Sequence, residues 1–198
     1  MFHVSQGTGW VEVITGCMFS GKTEELTRRV RRAQYAKQSV IVFKPSVDTR
    51  DAPTVVASHA GTSIPATTVT QVSDIWDMAQ EYEVIAVDEA QFFDVELVEV
   101  AQHLADAGKQ VIIAGLDLDY RGIPFGVIPY LLAVSEYPVK LHAVCVCCGN
   151  PAFRSQRIVD SREQVLVGAQ SAYEARCRKC WNPEPVFTRR ENNDEREG

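Results

Sequence analysis

Between residues 10 and 140 the hydrophobic positions alternate between two periods, and each change of period marks an element. Trp10-Val11-Glu12-Val13-Ile14-Thr15 is rich in β-branched and aromatic residues and predicts a strand. Leu26, Val30 and Ala33 then fall at i, i+4 and i+7, the spacing of one helix face. Ser39-Val40-Ile41-Val42-Phe43 predicts a second strand, ended by Lys44-Pro45, and a short helix is expected over residues 74–80. Val84-Ile85-Ala86-Val87 is apolar throughout, as a strand buried on both faces must be, and runs straight into Asp88 and Glu89. Asp94 is placed to cap a helix with Leu97, Val98, Ala101, Leu104 and Ala105 on its inner face and Gly108 at its close. Gln110-Val111-Ile112-Ile113-Ala114 is a further buried strand, opening into a loop over residues 115–122, and another helix follows Pro129 through Leu131, Leu132 and Val134. Strands alternating with helices predict an α/β fold, a mostly parallel sheet with helices on both faces.

The pattern changes at about His142. Cys145-x-x-Cys148 and Cys177-x-x-Cys180 are two close pairs of the kind that give four thiolates to zinc. Cys147 leaves the first pair ambiguous, but only Cys145 with Cys148 has the two-residue gap. Reduced structural thiols or redox chemistry are the alternatives. The stretch between the pairs is longer than the gap of about 15–20 residues usual in a zinc ribbon, so the clamp must close off a long loop. The expected organisation is therefore an α/β domain over residues 1–141, a zinc-binding module over 142–185, and a disordered tail over 186–198. A formal net charge of −6 argues against nucleic acid as the main partner, no run approaches a membrane span, and the N-terminus lacks the plan of a signal peptide. A cytoplasmic protein is expected, in which six cysteines are no disulfide framework.

Gly16-Cys17-Met18-Phe19-Ser20-Gly21-Lys22-Thr23 fits G-x-x-x-x-G-K-[ST], between the first strand and the first helix. Gly16 and Gly21 let successive N–H groups turn toward phosphate oxygens, Lys22 supplies charge for the β and γ phosphates, and Thr23 can ligate magnesium. Asp88 suits a carboxylate that holds magnesium, and Glu89 a general base beside the reacting group. The arginines at 28, 29, 31 and 32 read as a solvated helix face. Arg50 could reach phosphate or pair with Asp48 or Asp51, and His59 reads as a structural loop residue. These residues describe a P-loop nucleotide enzyme with a zinc clamp and name no second substrate.

The chain resembles the type II (cellular) thymidine kinase family from Trp10 to Trp181. The carriers are residues 16–26, Phe43-Lys44-Pro45, Asp88-Glu89-Ala90-Gln91-Phe92-Phe93, Gly115-Leu116-Asp117, Pro124-Phe125-Gly126, Ala143-Val144-Cys145 with Cys148-Gly149, and Tyr173-Glu174-Ala175-Arg176-Cys177-Arg178-Lys179-Cys180. The resemblance implies a RecA-like P-loop NTPase fold with a C-terminal zinc-binding lasso, and transfer of the ATP γ-phosphoryl group to the 5′-hydroxyl of thymidine. It implies Glu89 as proton acceptor, Lys22 with residues 16–23, Asp88, Ala90 and Gln91 around the nucleotide, and Thr23 and Asp88 at magnesium. Met18, Phe92, Leu116, Tyr120, Leu166, Val167, Gly168 and Tyr173 would line the thymidine site. Without the resemblance, Met18, Phe92, Leu116 and Tyr120 read as ordinary core. A homotetramer and dTTP as feedback inhibitor are further expectations from the family. The rivals are a P-loop kinase of another deoxynucleoside, a zinc-ribbon ATPase acting on nucleic acid, and a binding module without turnover. One position departs from the family: Cys17 stands where many members have proline, and a thiol at a helix N-terminus is expected to ionise and oxidise readily.

Overall fold

The computed structural model describes residues 7–47, 55–57, 63–161, 163–164 and 170–183. The elements are β1 (Trp10–Thr15), α1 (Lys22–Tyr35), β2 (Val40–Pro45), β3 (Val55–Ala57), β4 (Ser63–Pro65), β5 (Thr67–Val69), α2 (Val72–Ala79), β6 (Val84–Val87), α3 (Glu96–Asp106), β7 (Gln110–Gly115), α4 (Ile128–Val134) and β8 (Tyr137–Lys140). Four short strands follow: β9 (Ala143–Val144), β10 (Pro151–Ala152), β11 (Arg154–Arg157) and β12 (Tyr173–Arg176). The central sheet has six strands in the order β5-β2-β6-β7-β1-β8. Every pairing in it is parallel.

Side-chain alternation divides the sheet's apolar residues between two cores. On one face Ile14, Val42, Ala86, Ile112 and Ala114 pack with Leu26, Val30 and Ala33 of α1. On the other, Val13, Phe43, Ile85, Val87, Val111 and Ile113 pack with Ile75 of α2, Leu97, Ala101 and Leu104 of α3, and Ile128 and Leu131 of α4. The expected helices on both faces are present. The α1 face is shared with Val56 and Ile64 of the antiparallel β3–β4 hairpin, which the hydrophobic pattern did not foretell.

Local chemistry explains where boundaries differ from expectation. Helix α2 begins before Asp74 because Gln71 and Asp74 form a reciprocal capping box, which makes Asp74 the third helical residue. Helix α3 is not capped by the Asp94 side chain. Val95 occupies the N-cap, and Asp94 contributes its carbonyl to the Leu97 N–H at 3.1 Å. Strands β5 and β8 are the sheet's edges; the first is short and the second contains Pro138, which an edge tolerates. Arg29 is half-buried rather than fully solvated. It reaches from α1 to Glu12 on β1, whose carboxylate also accepts from Trp10 and Gln110. Residues Arg50 and His59 lie outside the described residues.

A third cluster, Ala143, Cys145, Ala152, Ala175 and Cys177, includes Cys17 from the loop after β1. Within it β9 pairs with β10, and β11 with β12, each antiparallel.

Strand order determines what meets at the carboxyl edge. Only β7 lies between β1, which delivers residues 16–23, and β6, which delivers Asp88 and Glu89. The segment behind that edge is close-packed: Gly126 has φ 53°, and a Cβ there would stand 2.2 Å from the Gln91 carbonyl oxygen. Gly126→Ala is therefore expected to destabilise the fold by about 2 kcal/mol or more, since strained backbone and a backbone clash coincide. A urea midpoint equal to the wild type's would contradict that packing.

Candidate active site

The glycine-rich loop has the backbone its composition requires. Gly16 and Gly21 have φ values of 144° and 83°, and Phe19 is held at 65° although it is not glycine. Gly21 occupies the N-cap of α1 without a side-chain cap, so the helix opens with N–H groups directed at the loop. Lys22 is buried, and its ammonium donates to the Cys17 carbonyl at 2.9 Å. The Ser20 hydroxyl is buried and has no hydrogen-bond partner among the described residues. A buried hydroxyl and a buried ammonium beside the N-terminus of α1 form a cradle for an anion.

The loop and the acid pair meet through a side-chain hydrogen bond. The Thr23 hydroxyl donates to Asp88 Oδ2 at 3.1 Å, and Asp88 Oδ1 accepts the Glu89 N–H at 2.9 Å. Both carboxylates are buried. Glu89 has φ 51° and ψ 40°, a left-handed conformation uncommon for a residue with a side chain. It sits at the turn between β6 and a short 3₁₀ segment, Ala90–Phe92. Gln91, in that segment, donates to Glu89 Oε2 at 2.5 Å and accepts the Leu116 N–H at 2.9 Å. Gln91 therefore aims the Glu89 carboxylate and ties it to the end of β7. Such strain, held in place by surrounding bonds, is characteristic of functional sites. A hard oxygen pair of hydroxyl and carboxylate fits magnesium.

The aromatic residues expected around a nucleoside lie near this edge. Phe92 packs edge-on against Phe125 with ring centroids 5.9 Å apart, and Leu116 and Met18 are half-buried. Tyr120 and Tyr173 are brought together by Arg157, a fully buried guanidinium 3.8 Å from the first ring centroid and 5.0 Å from the second. Arg157 also donates to the Tyr173 hydroxyl and to the carbonyls of Ser161, Glu163 and Gln164, gathering separate segments of the stretch between the cysteine pairs. Asp119 shapes the neighbouring turn by accepting the N–H groups of Arg121 and Ile123. Neither Arg157 nor Asp119 stood out in the sequence. Arg-Ser-Gln-Arg looks like an exposed strand, and only the Asp-x-Arg-Gly string hinted at a side-chain-stabilised turn. Leu166, Val167 and Gly168 lie outside the described residues.

Cys145, Cys148, Cys177 and Cys180 place their sulfurs within 4.8 Å of one another, with pairs at 3.6 and 3.7 Å. Tetrahedral zinc with Zn–S bonds of about 2.3 Å requires edges of about 3.8 Å, so the group fits the metal. Backbone N–H groups, that of Cys177 foremost, lower the Cys145 thiol to about 6, while the Cys148 and Cys177 sulfurs push Cys180 up to about 12. A dication held by the four sulfurs would stabilise all of them as thiolates. Exposed Cys147 stands outside the quartet. Cys17 differs from expectation: it is buried, and burial pushes its thiol up, which outweighs the influence of Lys22. A thiol in that setting is protected rather than reactive.

Among solved structures, the chain is similar to the genome packaging NTPase B204 from Sulfolobus turreted icosahedral virus 2 in complex with ATP-gammaS. That match has 13% identity and a TM-score of 0.43, over 68% of this chain and 75% of that one. It is also similar to the replication initiator DnaA bound to AMPPCP and single-stranded DNA, at 17% identity and a TM-score of 0.42 over 67% of this chain, and it spans 40% of that structure's length. AMPPCP-bound DnaA from Aquifex aeolicus matches at 17% identity and a TM-score of 0.42, over 71% of this chain and 48% of that one. A family model described as Thymidine kinase matches residues 9–181. That span begins before the phosphate loop and ends one residue beyond the fourth zinc-type cysteine, and the chain belongs to the thymidine kinase family.

Proposed function

We propose that this chain is an ATP-dependent thymidine kinase, moving the γ-phosphoryl group of ATP to the 5′-hydroxyl of thymidine and releasing dTMP and ADP. One observation carries the reading: the Thr23–Asp88 hydrogen bond draws the phosphate loop against the strand end that holds Glu89. Phosphoryl transfer asks a protein for positioning and charge neutralisation more than covalent work. Residues 16–23 cradle the phosphates, and Lys22 exchanges the Cys17 carbonyl for phosphate oxygens. Glu89, aimed by Gln91, accepts the hydroxyl proton as that oxygen attacks phosphorus. Thr23 and Asp88 hold magnesium, which neutralises charge on the phosphates when bound. Met18, Phe92, Leu116, Tyr120 and Tyr173 form the nucleoside's walls, and residues 166–168 supply backbone contacts to thymine. Cys145, Cys148, Cys177 and Cys180 hold structural zinc at the base of the lasso. A cytoplasmic homotetramer, inhibited by dTTP and independent of nucleic acid and membrane, completes the proposal. No helix among the described residues is long and apolar enough to cross a membrane.

Nucleoside specificity is tested with a panel of deoxynucleosides and labelled ATP. Thymidine is expected to give the highest kcat/KM, and preference for a base other than thymine would overturn the assignment. Glu89→Gln is expected to lower kcat by roughly 10²–10⁴-fold, the usual contribution of general acid–base catalysis, while ATP binding measured by calorimetry is retained. Near-normal turnover would remove Glu89 as the base. Metal analysis is expected to find about one zinc per chain, and Cys177→Ser to lose it and raise the nucleoside KM before the sheet unfolds. Retention of stoichiometric zinc by that variant would show the ligand set to be wrong.

A further inference from the structure

We propose that Ser155, acting with Cys17, is a positioning residue for the phosphate loop, so that the integrity of the cysteine module sets how well the loop takes up a nucleotide. The inference rests on reading residues 16–23 as the phosphate site. Two consecutive loop residues are rooted in the module. The Met18 N–H donates to the Ser155 hydroxyl at 3.1 Å, and the Cys17 thiol donates to the Ala152 carbonyl at 3.3 Å. Ser155 is 5% exposed, and its strand, β11, pairs with β12 so that Ser155 lies opposite Ala175. Cys17 shares an apolar cluster with Ala143, Ala152, Ala175 and two of the zinc-type cysteines, Cys145 and Cys177. The Cys17 carbonyl in turn accepts the Lys22 ammonium. The residue whose side chain is embedded in the module thus also holds the loop's cation.

The energetic reason lies in the next residues. Phe19 and Gly21 sit at φ 65° and 83°. A non-glycine residue keeps such a conformation only where its surroundings over-determine it. Anchoring the Cys17–Met18 peptide from outside supplies that constraint before the ligand arrives, so less freedom is lost on binding. When the hydroxyl is deleted, the Met18 N–H loses its acceptor and the loop is released at the end where the Lys22 contact begins. The module would then act on ATP as well as closing off the long loop over the nucleoside.

The test is calorimetric titration of the full-length chain with Mg-ADP, which gives no turnover, together with steady-state kinetics. Ser155→Ala is expected to raise the Mg-ADP Kd and the ATP KM by roughly tenfold, the usual consequence of one buried hydrogen bond lost. Its zinc content should be unchanged. Ser155→Thr, which keeps the hydroxyl, should restore affinity. Zinc-stripped wild type should weaken toward Mg-ADP to a similar degree, and stripping the Ser155→Ala variant should add little, since both changes act on one connection. Wild-type affinity in Ser155→Ala would overturn the proposal, as would equal weakening in the Ala and Thr variants or full additivity with zinc removal. A wild-type chain that fails to bind Mg-ADP would instead remove the phosphate-loop reading, and this inference with it.

Discussion

The hydrogen bond from Thr23 to Asp88 connects parts of the chain that have no sequence relationship, and the candidate site depends on it. It is available because the parallel sheet places β7 alone between β1 and β6, bringing the loop after one and the acids after the other to the same edge. In parallel sheets the carboxyl ends of the strands are where connections open and ligands enter. A hydroxyl on the first helical residues and a carboxylate at a strand end are an oxygen pair suited to a hard cation. The two oxygens already lie within hydrogen-bonding distance, so little of the chain has to be rearranged to offer them together.

Around that bond the backbone is strained where the chemistry is expected. Glu89 and Phe19 both occupy left-handed conformations, one beside the acid pair and one inside the phosphate loop. Neither conformation is favourable alone. Glu89 is held through Asp88 Oδ1 on its N–H and Gln91 on its carboxylate, and Gln91 is itself held by Leu116 at the end of β7. The buried β-sheet acts as a rigid frame against which these short segments are bent.

The cysteine module belongs to this arrangement rather than standing apart from it. Its strands hold Arg157, which gathers Tyr120, Tyr173 and the carbonyls of Ser161, Glu163 and Gln164, and its apolar cluster takes in Cys17 of the phosphate loop. Trp181, just after the last cysteine, donates to the Tyr120 carbonyl at 3.2 Å. Small apolar clusters of this size bury too little surface to be rigid unaided, and a metal held by the four cysteines would supply the missing stability.

Local pattern was sufficient for the elements whose period is unambiguous. Trp10–Thr15 is a strand because it is rich in β-branched and aromatic residues, Val84–Val87 because it is apolar throughout, and Leu26, Val30 and Ala33 form one helix face by spacing alone. The phosphate loop, the acid pair and the cysteine pairs were readable for the same reason: their chemistry demands residue types at short, fixed separations. Edge strands β5 and β8 were not readable, being short or interrupted by proline and stabilised by a neighbour rather than by their own pattern. Arg157, Ser155 and the role of Gln91 were also invisible. Each acts on a partner far along the chain or across a turn, and a polar residue that looks solvated in sequence becomes a buried anchor only when folding closes water out around it. The sequence by itself determined which reactive groups the protein carries. The tertiary structure decided which of them share an edge and what holds them there, because burial and long-range hydrogen bonds exist only once the sheet has formed.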